Sequence, residues 1–144
     1  MTVRLSGRRG LPALDRARLR RRASRLLRAL DLPAAELSIR LVDDAEIAAL
    51  NLRHRRRRGP TDVLSFSLVE GAYAAHRGAL LGDVVISLDT AARQARRGRR
   101  SLDQEALRLL IHGALHLIGH DHVRPRQARA MRAAERRLWR EVAA

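Results

Sequence analysis

Residues 101–122, SLDQEALRLLIHGALHLIGHDH, predict one long helix that ends in a sharp turn. The segment begins with the capping-box pattern S-x-x-Q at Ser101 and Gln104, which is typical of a helix start. The next residues are mostly apolar until Gly119, which lacks a Cβ and can take the positive φ that stops a helix. We therefore expect a helix through Leu117 and a chain reversal at Gly119.

Four of the six histidines lie at the end of this helix. His112 and His116 are four residues apart, so their Cβ atoms lie about 5–6 Å apart on one helix face. Their ring nitrogens can then approach to about 3.3 Å, the spacing that tetrahedral zinc requires. The turn at Gly119 can bring His122 round as a third ligand, which completes the zincin-like pattern H-x-x-x-H-x-x-G-x-x-H. The spacing predicts a metal site on His112, His116 and His122.

Three protein ligands leave one coordination position open, which distinguishes a catalytic zinc site from a closed structural one. A metal ion there would acidify its water and polarise a carbonyl or phosphoryl oxygen. Zincin peptidases carry a general-base Glu directly after the first ligand, but this chain has Gly113 there. Asp121 is the nearest substitute base, or else it holds a histidine ring. A structural three-histidine site, or a closed site with His120 as fourth ligand, stays an alternative.

Hydrophobic periodicity places the other elements in the order β-α-β-α-β-β-α-α-α. Strands are predicted at 2–6, 37–42, 61–68 and 80–88, and helices at 15–30, after Asp43, at 90–97, 101–117 and 125–143. Residues 51–60, NLRHRRRRGP, are predicted as a basic loop, and 69–79 as a loop or wide turn. The pattern predicts an α+β fold, with a small mixed four-stranded sheet packed against about five helices, as a single domain over 1–144.

The composition restricts the kinds of partner and of metal site that we expect for this chain. The chain has 144 residues and a net charge of +15, and its 30 basic residues are all arginine, which favours a polyanionic partner. No cysteine is present, which excludes thiolate metal sites and a Cys nucleophile. Neither a signal peptide nor a transmembrane segment is predicted, so we expect a cytoplasmic protein with no membrane partner.

Three stretches together resemble the YbeY family of endoribonucleases, the bacterial rRNA maturation factors. The first is HGALHLIGHDH at 112–122. The second contains Asn51 and Arg55 followed by PTDVLSF at 60–66, and the third is LGDVVI at 81–86. Together with the order of strands and helices, the resemblance extends over nearly the whole chain.

The resemblance implies a single-strand-specific endoribonuclease that acts in maturation of the small-subunit rRNA 3′ end and in ribosome quality control. It implies one Zn²⁺ per chain, with His112, His116 and His122 as its ligands. Arg55 corresponds to the family's functional arginine beside the metal cleft, so Arg55, His112 and His116 are the candidate catalytic residues. We expect RNA to enter a cleft whose mouth carries Arg53, Arg55, Arg56, Arg57 and Arg58. For Arg56 to Arg58 the favoured interpretation is the alternative one, a solvated loop that gives the RNA only unspecific affinity.

The partners implied by the resemblance are ribosomal RNA, the ribosome and single-stranded RNA substrates, with any ribosomal-protein or GTPase partner unspecified. Two rival functions stay open. One is a zincin-type metallopeptidase, which the histidine spacing favours and Gly113 disfavours. The other is a non-catalytic rRNA-binding or ribosome-binding factor with a structural metal, which would bind RNA with steep salt dependence and never cleave it.

Overall fold

The computed structural model describes residues 2–67 and 80–144, which form four strands and five helices. In chain order they are β1 (Thr2–Gly7), α1 (Arg16–Ala29), β2 (Glu36–Val42), α2 (Asp44–Arg55), β3 (Val63–Ser67), β4 (Leu80–Ser87), α3 (Leu88–Arg97), α4 (Leu102–Leu117) and α5 (Pro125–Val142). This order confirms the predicted α+β class.

The four strands form one mixed sheet in the order β1-β2-β4-β3. Strands β1, β2 and β4 run parallel, with Ile39 of β2 opposite Val84 of β4. Strand β3 is antiparallel to β4 and forms one edge of the sheet, with Ser65 opposite Val84. The edge strand β3 is thus the direct neighbour of β4, and the end of α4 that carries the histidines packs against β3.

The two faces of the sheet bury different clusters. Alternate residues of a strand point to opposite faces, so Val84 and Ile86 join the main core with α1, α3, α4 and α5. Val85 points the other way and packs with Ile47 of α2 and Leu64 of β3 in a smaller cluster. Helix α2 therefore covers the second face of the sheet.

Helix α4 lies in the main core and contacts β3, β4, α1, α3 and α5. Ser101 caps its start, and Ser101 and Gln104 form the reciprocal capping box that the sequence predicts. At its end the Gly119 N–H donates to the His116 carbonyl at 3.1 Å and the His120 N–H donates to the Leu115 carbonyl at 3.0 Å. These two bonds form a Schellman motif with Gly119 at φ 101°, as the turn prediction requires.

The structure corrects the prediction for residues 51–60. Instead of starting a loop, Asn51 continues α2, which ends at Arg55. Leucine and arginine are good helix formers, and basic side chains in the last turn suit the helix dipole. Arg56 then takes a left-handed conformation at φ 55° and ends the helix.

A second boundary also differs from the prediction: α3 begins at Leu88 rather than Thr90, because the Ser87 side chain accepts the Thr90 N–H and caps the helix. The turn predicted at 69–79 lies outside the described residues. Within the described part of the chain, no helix has both the length and the apolar character needed to cross a membrane.

Candidate metal centre

His112, His116 and His122 come together where α4 ends. Each offers one ring nitrogen, and these nitrogens lie within 4.8 Å of one another. The Nε2 atoms of His112 and His116 are 3.2 Å apart, close to the spacing that one shared metal ion requires. Among residues 2–67 and 80–144, this cluster consists of the three histidines alone, and the His120 side chain is not a member.

The His116 ring is oriented by the main chain. Its Nδ1 lies 2.9 Å from the His120 carbonyl oxygen. Because a carbonyl only accepts, Nδ1 carries the hydrogen and donates it, and Nε2 is left with a free lone pair. The Schellman turn holds the His120 carbonyl in place, so the helix end itself fixes the tautomer of His116. His120 thus contributes through its backbone.

The His112 ring is backed by Glu135 of α5. Its Nδ1 faces Glu135 Oε2 at 3.6 Å, and both side chains are about a quarter exposed. The contact with His112 lowers the pKa of Glu135 below its ordinary value, although burial opposes the shift. A carboxylate behind a ligating histidine orients the ring and raises its basicity. Sequence spacing gave no signal for Glu135, because it lies on a different helix.

His122 reaches the cluster from the exposed turn after α4. Asp121 Oδ1 accepts the backbone N–H of His122 at 2.6 Å and that of Val123 at 3.1 Å. This Asx turn shapes the chain as it returns toward the helix end. Of the two roles predicted for Asp121, general base or ring support, the observed hydrogen bonds correspond to neither: the carboxylate organises the backbone that carries His122.

The donor set fits a divalent metal ion. The Nε2 lone pair of His116 faces His112 Nε2 at 3.2 Å, and a cation between these two nitrogens could bind both rings. Burial, and then the proximity of His112 and His122, lowers the pKa of His116 below its ordinary value. A neutral imidazole is the form that binds metal. Three imidazoles suit zinc and several other divalent transition metals.

The histidines form one wall of a cleft of about 640 Å³. Facing them are residues of α2, the loop after it and β3: His54, Arg55, Arg57, Thr61, Asp62, Val63, Leu64, Ser65 and Phe66. Of the five arginines expected at the cleft mouth, Arg55 and Arg57 therefore line it. Arg53, Arg56 and Arg58 are exposed but do not line the cleft.

Asn51 shapes the arginine wall of the cleft. Its buried side chain donates from Nδ2 to the Gly59 carbonyl at 3.0 Å, and the main-chain carbonyl of Asn51 accepts the Arg57 N–H at 3.3 Å. These bonds hold the loop between Arg55 and Pro60 against the end of α2. They explain why the cleft receives Arg55 from the helix and Arg57 from the loop.

Gly113 faces the sheet, whereas the general base of a zincin peptidase has to face the metal. A Cβ at this position would lie 2.8 Å from Val84 Cγ1 and 3.0 Å from Ser65 Oγ. The Ser65 hydroxyl donates to the Gly113 carbonyl at 2.8 Å, which fastens α4 to the edge strand. The close approach leaves no space for a glutamate here, so the peptidase motif is missing for a packing reason.

Comparisons with known proteins agree with the resemblance seen in the sequence. A family model described as Endoribonuclease YbeY matches residues 12–143. A relative of that name from Anaeromyxobacter sp. (strain Fw109-5) is 51% identical over 140 residues, covering 97% of this chain and 71% of the relative. Another from Geobacter metallireducens is 40% identical over 141 residues, covering 96% and 94% of the two chains.

A solved structure supports the fold independently. The solution structure of a protein from Thermotoga maritima superimposes with a TM-score of 0.61 at 24% identity, covering 97% of this chain and 91% of the other. At that identity the match speaks for the architecture alone. The family model and the two relatives extend over the cleft and the histidine turn, and on that evidence the chain belongs to the YbeY endoribonuclease family.

Proposed function

We propose that this chain, as one domain over 1–144, is a metal-dependent endoribonuclease of the cytoplasm that cuts single-stranded RNA. Its substrate is ribosomal RNA, at the 3′ end of the small-subunit species and during ribosome quality control. The relatives named Endoribonuclease YbeY support this reaction class. The observation that carries it is the 3.2 Å approach of two oriented Nε2 atoms in a cleft whose other wall bears arginines.

The histidines hold the metal ion, which we propose is zinc. His112 and His116 present their Nε2 atoms from successive turns of a helix anchored in the core, while His122 adds its nitrogen from the turn. When bound, such an ion supplies Lewis acidity to water and to a phosphoryl oxygen. The carbonyl of His120 and the carboxylate of Glu135 keep the two helical rings in the tautomer that binds metal.

Arg55 binds and orients the scissile phosphate from the opposite wall. A guanidinium has five N–H donors in a fixed fork and no acceptor, which matches the oxygens of a phosphodiester. Donors placed where charge grows on a phosphoryl group stabilise the transition state. Arg57 gives the same wall a second charge, whereas Arg53, Arg56 and Arg58 add general attraction for the RNA backbone.

The metallopeptidase alternative loses support from the position of Gly113. A Cβ built on Gly113 would lie 2.8 Å from Val84 Cγ1 and 3.0 Å from Ser65 Oγ, so the residue after His112 cannot carry the general base that zincin peptidases place there. A binding factor with a structural metal differs from an endoribonuclease in one measurable outcome. Such a factor would bind ribosomal RNA in a salt-dependent way without cutting it.

The test combines metal analysis with RNA cleavage. We expect about one zinc per purified chain and cleavage of single-stranded but not duplex RNA, abolished by a chelator and restored by added metal. His116→Ala should lose both the metal and the cleavage. Arg55→Ala should keep the metal and the fold but lose about 100-fold or more in turnover.

The matched control for Arg55→Ala is Arg20→Ala, which removes an equal charge from an exposed position on α1. Both variants have the same net charge, and Arg20→Ala should cleave at the normal rate. A loss seen only in Arg55→Ala therefore comes from the position of the arginine rather than from the net charge. Full activity of metal-free His116→Ala would contradict the proposal. RNA binding without cleavage at any metal concentration would instead favour the binding factor.

A further inference from the structure

A second cavity, of about 500 Å³, lies between α4 and α5. We call it the α4–α5 pocket, and its wall includes Trp139, Ile111 and four arginines: Arg100, Arg108, Arg136 and Arg140. We propose that it binds one nucleotide of the single-stranded RNA, with its phosphate on the arginines and its base against the apolar wall. The inference rests on the proposed function and adds a substrate subsite to it.

Two of the arginines are fixed in place before any ligand arrives. Glu105 is fully buried, and its Oε2 accepts from Arg100 Nε at 3.0 Å and Nη2 at 2.7 Å. Its Oε1 accepts from Arg108 Nε at 2.9 Å and also from Arg108 Nη2. One carboxylate thus holds two guanidiniums, so the cluster keeps an excess positive charge. Each guanidinium uses two of its five N–H donors on Glu105 and has three left.

The packing around Arg100 strengthens this arrangement. The guanidinium lies over Gly98, where a Cβ would be 2.8 Å from Arg100 Cζ. Binding a ligand with a freely moving arginine costs side-chain entropy, and a side chain already held in place avoids most of that cost. Most of the chain's 30 arginines are solvated surface residues. Arg100 and Arg108 differ from these surface arginines because the buried carboxylate of Glu105 holds them in place.

Trp139 supplies the second feature of a nucleotide site. It is the one tryptophan of a chain with only 2% aromatic residues, and it is partly buried on α5 where it lines the pocket. Sites for single-stranded nucleic acid combine positive charge with an aromatic side chain on which a base stacks. The carboxylates of an acidic peptide would use the arginines but have no ring to stack on the indole, so the combination favours a nucleotide.

The pocket adjoins the metal cleft. Glu135 lines the pocket and also faces His112 Nδ1 at 3.6 Å, and His112 lines the cleft. The Glu135–His112 contact therefore connects the lining of the pocket with the lining of the cleft. We therefore expect an RNA strand with one phosphodiester at the histidines to bring another of its nucleotides to Trp139.

The single tryptophan makes the pocket directly observable. Metal-free His116→Ala protein, which leaves RNA intact, is titrated with a short oligouridylate while tryptophan emission is recorded. We expect saturable quenching, because the only indole in the chain lies in the pocket. Adding Arg136→Ala to this protein should weaken the oligonucleotide affinity about tenfold, whereas adding Arg20→Ala should change it little. In the metal-loaded enzyme, Arg136→Ala should raise KM and leave kcat unchanged.

The outcomes are distinguishable. If RNA is cleaved but the emission does not change and Arg136→Ala has no effect on KM, the pocket proposal is overturned and the endoribonuclease proposal stands. If neither metal binding nor cleavage is found while quenching persists, the proposed function fails and the nucleotide site stands. Equal quenching by oligoglutamate and by oligouridylate would overturn the nucleotide assignment in favour of an acidic protein partner.

Discussion

The two ends of helix α4 carry charged or metal-binding side chains that are held in different ways. Near its start, the buried carboxylate of Glu105 binds Arg100 and Arg108. At its end, the His120 carbonyl and the Glu135 carboxylate lie behind the two helical histidines. In both places, the group that would touch a ligand is fixed by a second group that would not.

The comparison shows why charge alone is a poor guide to sites in this chain. Arg53, Arg56 and Arg58 belong to a basic run, but they are exposed and do not line the cleft. Arg100 ends another basic run, RRGRR at 96–100, and Arg108 stands alone in the sequence, yet both are anchored to a buried carboxylate. Anchoring by a buried partner distinguishes a prepared binding group from a solvated one.

The largest effect is expected between the two ends, at Gly113. In Gly113→Glu, the new side chain would have to enter the space held by Val84 and Ser65. Overpacking together with an unpaired buried charge should lower the free energy of unfolding by about 3–5 kcal/mol. Denaturant unfolding measures this loss, and no peptidase activity should appear although the zincin motif is restored.

Gly113→Ala is the smaller step that serves as its control. The added methyl group alone should cost about 1–3 kcal/mol through overpacking, partly offset by the better helix propensity of alanine. Were Gly113→Ala as stable as the parent chain, the close packing of α4 on the sheet would not be what excludes the glutamate.

The next effect concerns the start of α4. Glu105→Gln keeps the shape of the side chain but removes the charge that two guanidiniums share. Breaking a buried ion pair costs about 3–5 kcal/mol, and we expect about 2 kcal/mol here because Arg100 and Arg108 are 38% and 39% exposed. Denaturant unfolding at neutral pH measures it, and the metal content should stay unchanged. A loss of metal would show that the two ends are not independent.

The same carboxylate predicts a pH dependence. Burial raises the pKa of Glu105, but hydrogen bonds from Arg108 and Arg100 outweigh it, and the pKa falls below its ordinary 4.5. A group with a lowered pKa in the folded state stabilises the fold above its unfolded pKa. That contribution should disappear as the pH falls from about 4.5 through the lower folded value. The unfolding free energy of Glu105→Gln should depend less on pH in this range, and parallel curves would contradict the assignment.

The sequence predicted the features that depend on neighbouring residues and missed those that depend on contacts between distant elements. The capping box at Ser101, the turn at Gly119 and the pair His112 and His116 depend on neighbours within a few residues, and spacing revealed each of them. The roles of Glu135 and Asn51 depend on contacts with other elements, which no local period encodes. The end of α2 differs from the prediction because a run of charged residues is typical of a loop, whereas arginine is also a good helix former.

The support behind His112 is tested by Glu135→Gln. The amide keeps a polar group facing Nδ1 but loses the negative charge that raises the basicity of the ring. Loss of such a partner lowers metal affinity by about 10- to 100-fold, which a competition titration with a chromophoric chelator measures. Glu141→Gln, on the exposed side of α5, is the matched control. Equal affinities in the two variants would show that Glu135 only fills space.

The smallest effect is expected at the turn that brings His122 to the other two rings. Gly119 has φ 101°, and nothing lies within 4 Å of a Cβ built on it, so Gly119→Ala meets no clash and only backbone strain. That strain should cost about 1–2 kcal/mol, and Gly119→Asn should recover part of it because asparagine tolerates positive φ better than alanine. Thermal unfolding ranks the three chains. If Gly119→Ala and Gly119→Asn lower the unfolding temperature equally, the positive φ of Gly119 is not the cause of the loss. The turn would then not be the reason for glycine at this position.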